Sequence, residues 1–362
     1  MQADRGADRP AAARRRARGR ACPPRAPELR PAVLFASLLF LVSIGIILGG
    51  VAVFTNAVEW LGRRLGISDG AIGSILAGIA TALPETLIPV IAIFGGHTRA
   101  ETDIGIGAIL GAPLMLGTLV LPLLAGFLLF LERMGKRSGD FELDYHAVRH
   151  DLSFFLVAYG LALLVAVNPL APVRYVAAVW LLAAYVWFVK VHLASGEVSQ
   201  VELDPLYFWR RAGRPATALI VTQVLVGLGL LIGGAHLFVH VVKDAALGLG
   251  VSPLVLALLV APIATELPET MNSFFWIHQK KDTLAVGNIT GAMVFQGTFP
   301  VSVGLVGTAW NLDSGAMLSL ALPLAGTALC VAQILKTGRW DPRLVLVCVL
   351  LYAGYIGYLL LR

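Results

Sequence analysis

Two glutamates, Glu85 and Glu269, stand inside long apolar stretches, and no Lys or Arg occurs between Asp69 and His97 or between Leu247 and His278 to offset them. An ionised carboxylate in such a span costs at least about 2.5–3.5 kcal/mol unless something cationic compensates it. A bound cation or a proton is the default partner; the alternative is a protonated side chain in a helix-packing hydrogen bond. Each glutamate follows a proline, Pro84 or Pro268. Proline has no amide to donate, so the carbonyls of Ala80 and Ala264 are expected to lose their helical partners. Freed carbonyls at membrane depth line cavities and coordinate cations. Thr81 and Thr265 precede the glutamates by four residues, on the same helical face. Carboxylate, carbonyl and hydroxyl together make an all-oxygen site suited to Ca²⁺ or Na⁺ and poor for Zn²⁺ or Cu⁺.

Further polar groups cluster nearby in the sequence. Glu266 lies one turn before Glu269, about 60° around a helix, so two carboxylates can share a pocket and exchange protons for a metal. The alternative is that Glu266 turns to a neighbouring helix and stays neutral. Gln296 and Asn288 are candidate amide-oxygen ligands, with interhelical hydrogen bonding as the competing role. Thr86 and Thr270 are expected to bond back onto their own helices. His236 and His240 lack a nearby glutamate in HExxH form and read as packing or interface residues.

These groups need elements to hold them, and the composition says what kind. The chain has 362 residues, 57% apolar and only 14% charged, against about a quarter charged in soluble domains, so lipid is the expected solvent. Runs of about 20 apolar residues predict ten transmembrane helices: 32–60, 68–95, 104–130, 151–168, 172–193, 216–242, 252–277, 284–309, 313–335 and 342–361. Residues 1–30 hold nine Arg and three acids, a charge of +6 that leaves the remainder neutral; this head is expected to be a disordered basic tail. With both termini outside and the head left out, fifteen Lys and Arg fall on the inner side against four on the outer one, as the positive-inside rule requires. The Arg-rich head argues the other way. Trp60, Trp180, Trp187, Trp209, Trp310 and Trp340 are expected to anchor span ends at the interface. Three scattered cysteines, Cys22, Cys330 and Cys348, frame no disulfide scaffold or zinc site.

Shifted by 184 residues, the sequence meets itself. Gly49-Gly50 falls on Gly233-Gly234 and Phe54 on Phe238, and Ala80–Thr86 falls on Ala264–Thr270 with six of seven residues identical. After a four-residue slip, Gly107–Ala112 meets Gly287–Ala292, carrying GxxxG pairs at Gly107/Gly111 and Gly287/Gly291 that allow close backbone approach. Five spans separate the copies, so the second would enter the membrane from the opposite side. Inverted repeats of this kind give transporters two symmetry-related states around one site.

The segments GIATALPE and APIATELPE, together with KDTLAVGNITGAMVFQ, resemble the α-repeats of the cation/Ca²⁺ exchanger superfamily. The resemblance implies an all-α polytopic fold of ten helices in two inverted five-helix repeats, 31–193 and 216–362, joined by a polar connection at 194–215. It implies antiport of Ca²⁺ against Na⁺ or H⁺, with Glu85 and Glu269 as shared ligands beside Thr81 and Thr265. Departures stand at Ala82, Ala112, Ala292, Leu116 and Gln296, where the family pattern carries hydroxyl, amide or acidic residues, while Glu266 adds a carboxylate. These put the family's Na⁺ sites in question. A cation channel and a non-transporting cation binder stay open as alternatives; an intramembrane enzyme is disfavoured because HExxH and GxSG-type motifs are missing. No cofactor and no nucleic-acid partner is expected. The expected setting is the plasma membrane, multi-pass, in contact with lipid and compatible with homo-oligomers.

Overall fold

The computed structural model describes residues 26–65, 82–195, 204–209 and 215–361, and among them there is no strand. Two compact units are distinguished, residues 1–38 and 39–362. Of the first, the described part is the opening of helix α1 (Ala26–Arg64), where Phe35 and Leu38 are exposed. Residues 1–25 of the basic head lie outside the described residues.

In the second unit α1 is followed by α2 (Leu83–Val90), α3 (Arg99–Met115), α4 (Leu121–Arg133), α5 (Tyr145–Val167), α6 (Ala171–Ser195) and α7 (Thr217–Leu249). Then come α8 (Pro253–Thr265), α9 (Leu267–His278), α10 (Asp282–Gln296), α11 (Phe299–Gly307), α12 (Ser314–Thr337), α13 (Pro342–Val347) and α14 (Val349–Leu361). Among the described residues eight stretches are long and apolar enough to cross a membrane, and α8 with α9, bent by 40°, would make a ninth. The expected second span, 68–95, is described only from residue 82 onward, as α2 and a π-helical turn over Ile91–Gly95.

Proline shapes these elements. The expected span 104–130 is longer, a continuous run from Arg99 to Arg133. A π turn at Leu116–Val120 interrupts it, and Pro122 follows directly, in the first turn of α4. Both π turns follow a proline inside a helix by two or three residues, Pro89 and Pro113 respectively. An internal proline removes one i→i−4 bond and loosens the turn, which favours a π bulge. Gly250 and Gly338 end α7 and α12 in the left-handed region, φ 67° and 66°.

Burial ranks the spans. In the first half, 17, 61, 44 and 22% of the residues in an apolar 18-residue window are buried for Ser37–Arg64, Arg99–Arg133, Tyr145–Val167 and Ala171–Val191. In the second, the shares for Thr217–Leu249, Asp282–Gly307, Ser314–Thr337 and Pro342–Leu361 are 33, 67, 44 and 17%. The two halves follow a similar profile, and among these eight stretches the span after the glutamate helix is the most buried of each half. The main core accordingly gathers Leu110 and Leu114 of α3, Phe155 and Tyr159 of α5 and Ile289 and Met293 of α10. A second cluster joins Ile47 of α1, Ile88 of α2, Phe238 of α7 and Ala257 of α8.

The helix contacts repeat as well. A Cβ added at Gly50 would lie 3.0 Å from the Leu231 amide nitrogen, and one added at Gly234 would lie 3.2 Å from that of Ile47. The 184-residue shift carries Gly50 to Gly234 and Ile47 to Leu231, so the two contacts exchange. Cys330 and Cys348 are buried, as expected of small core residues. Trp310 and Trp340 are a correction: at 0 and 2% exposure they are core residues, not interfacial anchors. Trp310 donates its indole N–H to the Ala162 carbonyl (3.2 Å), and Trp340 stacks on Phe141. Trp180 and Trp187 are exposed.

The first GxxxG pair has a direct structural use. A Cβ at Gly107 would strike the Leu254 carbonyl oxygen, and one at Gly111 would strike that of Leu258 and come 2.8 Å from Pro262 Cγ. Pro262 lacks the amide that would otherwise take the Leu258 carbonyl, so α3 presses against a bared stretch of α8 backbone. Gly111→Val should therefore destabilise detergent-purified protein by about 1–3 kcal/mol or more. Gly229→Ala, where an added Cβ meets nothing within 4 Å, should be neutral or slightly stabilising. Thermal unfolding checks both, and equal losses would contradict the close approach of α3 and α8.

Candidate functional site

Glu85 and Glu269 occupy equivalent positions, each the third residue of a short helix that opens with Leu-Pro. The residues just before these helices have nearly the same backbone, Ala82 at φ −81°, ψ 1° and Glu266 at φ −90°, ψ −3°. The expectation of a proline-broken helix needs one refinement. Pro268 is not inside a continuing helix but in the first turn of a new one, and the joint lies at Glu266, whose amide still donates to the Pro262 carbonyl (2.8 Å). Both glutamates thus sit at helix N-termini, where unpaired amides and the helix dipole favour negative charge.

One carboxylate oxygen from each of Glu85, Glu266 and Glu269 lies within 4.8 Å of the other two. Glu85 and Glu266 are buried and Glu269 is half-buried. Glu266 therefore shares the pocket with both repeat glutamates, which are 184 residues apart in sequence. Side-chain donors reach only part of this cluster. Gln296 donates its amide to Glu266 Oε1, and the Thr265 hydroxyl donates to the same oxygen at 3.3 Å. Glu85 Oε2, Glu266 Oε2, Glu269 Oε2 and Gln296 Oε1 are buried without a hydrogen-bond partner. No Lys, Arg or His pairs with the three acids among the described residues.

Electrostatics makes this arrangement demanding. Two full negative charges 4.8 Å apart repel by about 3 kcal/mol at an effective dielectric constant of about 20, and three carboxylates contain three such pairs. Three clustered carboxylates with buried, unpartnered oxygens, in a place that removes solvent, call for a cation, for protons, or for both in turn. The donor set is all oxygen, which fits a hard cation.

The remaining candidates divide. Thr265 is buried beside Glu266 rather than bonded to Glu269. Asn288 Nδ2 donates to the Glu269 carbonyl and to Ser273 Oγ, both at 3.1 Å, and so ties α10 to α9 behind the carboxylates. Ser273, fully buried, is a supporting residue that no motif or spacing singles out. Ala264 lies in the last turn of α8, while Ala80 and Thr81 fall outside the described residues. Thr86 and Thr270 bond back to the carbonyls of Ala82 (3.1 Å) and Glu266 (2.7 Å), as expected. His236 and His240 are exposed on α7. Two further buried pairs join distant segments: Arg137 with Asp282 (2.6 Å), and the Thr290 hydroxyl with Asp151 (2.8 Å).

Comparison with known proteins follows the same lines. The sequence profile described as sodium/calcium exchanger protein matches residues 35–193 and 219–361. CaxA of Alkalimonas amylolytica, provisionally named an antiporter, is 26% identical over 336 residues, 90% of this chain and 98% of its own length. The inner membrane protein YrbG of Escherichia coli K12 is 24% identical over 339 residues, 90% of this chain and 96% of its own. The crystal structure of the H⁺/Ca²⁺ exchanger CAX has a TM-score of 0.69 at 16% identity, covering 92% of this chain and 85% of that one. The sodium-calcium exchanger NCX_Mj has a TM-score of 0.55 at 20% identity, covering 90% and 99%. These likenesses establish the fold.

If the bare oxygens hold a divalent cation, Ca²⁺ at about a hundred times its Kd should stabilise the protein by about 2.7 kcal/mol. Thermal unfolding with and without chelator reads this rise, and Glu85→Gln or Glu269→Gln should remove most of it. An unchanged rise in both variants would place the cation elsewhere.

Proposed function

The chain belongs to the sodium/calcium exchanger protein family, and from that premise we propose that it is a secondary antiporter exchanging Ca²⁺ for Na⁺ or H⁺ by alternating access. The observation that carries the proposal is the convergence of Glu85, Glu266 and Glu269 with no cationic side chain among them. Glu85 and Glu269 act as the shared Ca²⁺ ligands. Thr81, Thr265 and the carbonyls of Ala80 and Ala264 complete the oxygen set, and Gln296 supplies an amide oxygen. Asn288 holds the Glu269 backbone from behind.

The body comprises two inverted five-helix repeats, 31–193 and 216–362, joined by 194–215 and preceded by the basic tail at 1–30. Counting 68–95 and the bent pair α8–α9 as spans gives ten, with both termini outside the plasma membrane. Ca²⁺ and its competitor use the same oxygens, so they bind in turn and exchange becomes obligatory. Whichever ion is bound offsets the carboxylate repulsion, and the empty site is too costly to cross the membrane.

Proton coupling is favoured over sodium coupling for a specific reason. Ala112, Ala292 and Leu116 replace side-chain oxygens of the family pattern, which weakens sodium coordination, while Glu266 adds a carboxylate that a proton can neutralise. In vesicles without Na⁺, an imposed pH gradient should drive Ca²⁺ uptake. Glu85→Gln and Glu269→Gln should each reduce it to background while the protein stays folded. Uptake that requires Na⁺ and ignores the pH gradient would contradict the proton version, and transport retained in either variant would exclude that glutamate as an essential ligand.

A further inference from the structure

The ion pair between Lys243 and Glu101 bridges the two halves of the chain. Lys243 Nζ of α7 lies 2.8 Å from Glu101 Oε1 of α3, with side chains 19 and 8% exposed. Glu101 is a fixed post. Its other oxygen accepts from the His97 amide (2.8 Å), the Thr98 amide (2.9 Å) and the Thr98 hydroxyl (2.8 Å), within a capping box that starts α3. Lys243, on its flexible four-carbon stem, is the half of the pair that can let go.

The internal repeat gives each of these residues a counterpart. In the register that exchanges the Gly50–Leu231 and Gly234–Ile47 contacts, Lys243 of α7 falls on Glu59 of α1. In the register that superposes Gly107 and Gly111 on Gly287 and Gly291, Glu101 falls on Lys281 at the start of α10. The acid and the base have changed places, but the pair is still one of opposite charge. Only 14% of this chain is charged, so two charged residues of opposite sign at both mirrored positions are not expected by chance.

The mirrored pair is open in this structure. Neither Glu59 nor Lys281 takes part in the ion pairs seen among the described residues, such as Arg137–Asp282 and Lys243–Glu101. Glu59 is half-buried with another acid, Asp204, as the charge acting on it. Lys281 is exposed, and its neighbour Asp282 is taken by Arg137 through two bonds of 2.8 and 2.6 Å. Glu59 is thus half-buried with no salt bridge to a described residue, while a lysine waits at the position that symmetry assigns to its partner.

We infer that Glu59 and Lys281 form a second ion pair when Lys243 and Glu101 separate, so that the two pairs alternate as latches at opposite ends of the transport path. The inference rests on the antiporter reading. In an inverted repeat, each half adopts the other's conformation when the site changes sides. A contact made by the first helix of one repeat with the third span of the other is then replaced by its mirror image. In the topology proposed above, Lys243 and Glu101 lie toward the outer face, and Glu59 and Lys281 toward the inner one. The structure is latched outside and unlatched inside.

A charge-swap cycle on counter-ion-driven Ca²⁺ flux tests the pair. Glu59→Lys and Lys281→Glu should each slow exchange about tenfold, and the two together should recover at least half of the wild-type rate. Residues that never meet give a double variant as slow as the product of the single ones, which overturns the inference. A second arm does not depend on Ca²⁺ transport. In full-length protein with Cys22, Cys330 and Cys348 replaced by Ala, Glu59→Cys with Lys281→Cys should cross-link in membrane vesicles with a short bis-thiol reagent. Adding Lys243→Gln, which breaks the observed latch, should speed that reaction several-fold. Absence of the cross-link, where Lys243→Cys with Glu101→Cys links readily, overturns the inference. A wild-type protein that moves no Ca²⁺ refutes the antiporter reading, and the cross-linking arm then decides the latch by itself.

Discussion

Charge balance in a dry place governs this molecule. Three carboxylates meet within 4.8 Å inside apolar helices, and no basic side chain among the described residues neutralises them. Every element around them makes sense as a way of bringing acids together that would otherwise stay apart. Two short helices aim their N-termini at the cluster, so each glutamate begins a helix rather than interrupting one. Glycines at 107 and 111 bring α3 onto the backbone of α8, just ahead of the joint that carries Glu266. Asn288, which also bonds Ser273, braces the Glu269 backbone.

The cluster is not symmetric, although the sequence around it is repeated. Ala82 and Glu266 share one backbone conformation at equivalent joints, yet only the second carries a charge. The partner of Glu266, Gln296, falls in the repeat register on Leu116, which is fully buried and apolar. The second half thus holds both members of a polar pair, and the first half holds neither. Polar groups in an apolar interior are costly alone and stable together, so the two positions can be expected to change jointly. The site leans toward the second repeat.

Much of this was legible in the sequence, because the relevant signals are either local or repeated. An acid in an apolar run is conspicuous whatever the fold, and the Leu-Pro-Glu duplication names its own partner 184 residues away. The burial profile follows from the same duplication. What the sequence left open depended on backbone geometry and on distant pairing. Glu266 could have faced away; the placement of the helix joint at that residue, rather than at Pro268, turns it inward. Proline alone marks a break only to within a turn. The Arg137–Asp282 and Lys243–Glu101 pairs each span more than 140 residues, and no local pattern couples them. Trp310 and Trp340 looked like interfacial anchors from their places near span ends, but packing between helices, invisible to a linear reading, buries both.

Exchange at this site requires that the three carboxylates form one cation seat. Crystals soaked in Sr²⁺, an anomalous scatterer that substitutes for Ca²⁺, would test it without relying on transport. One strong anomalous peak about 2.3–2.7 Å from carboxylate oxygens of both Glu85 and Glu269, displaced by Ca²⁺, is the predicted result. A protein that binds Sr²⁺ only at its surface, with the carboxylates bare or bridged by hydrogen bonds alone, would contradict it.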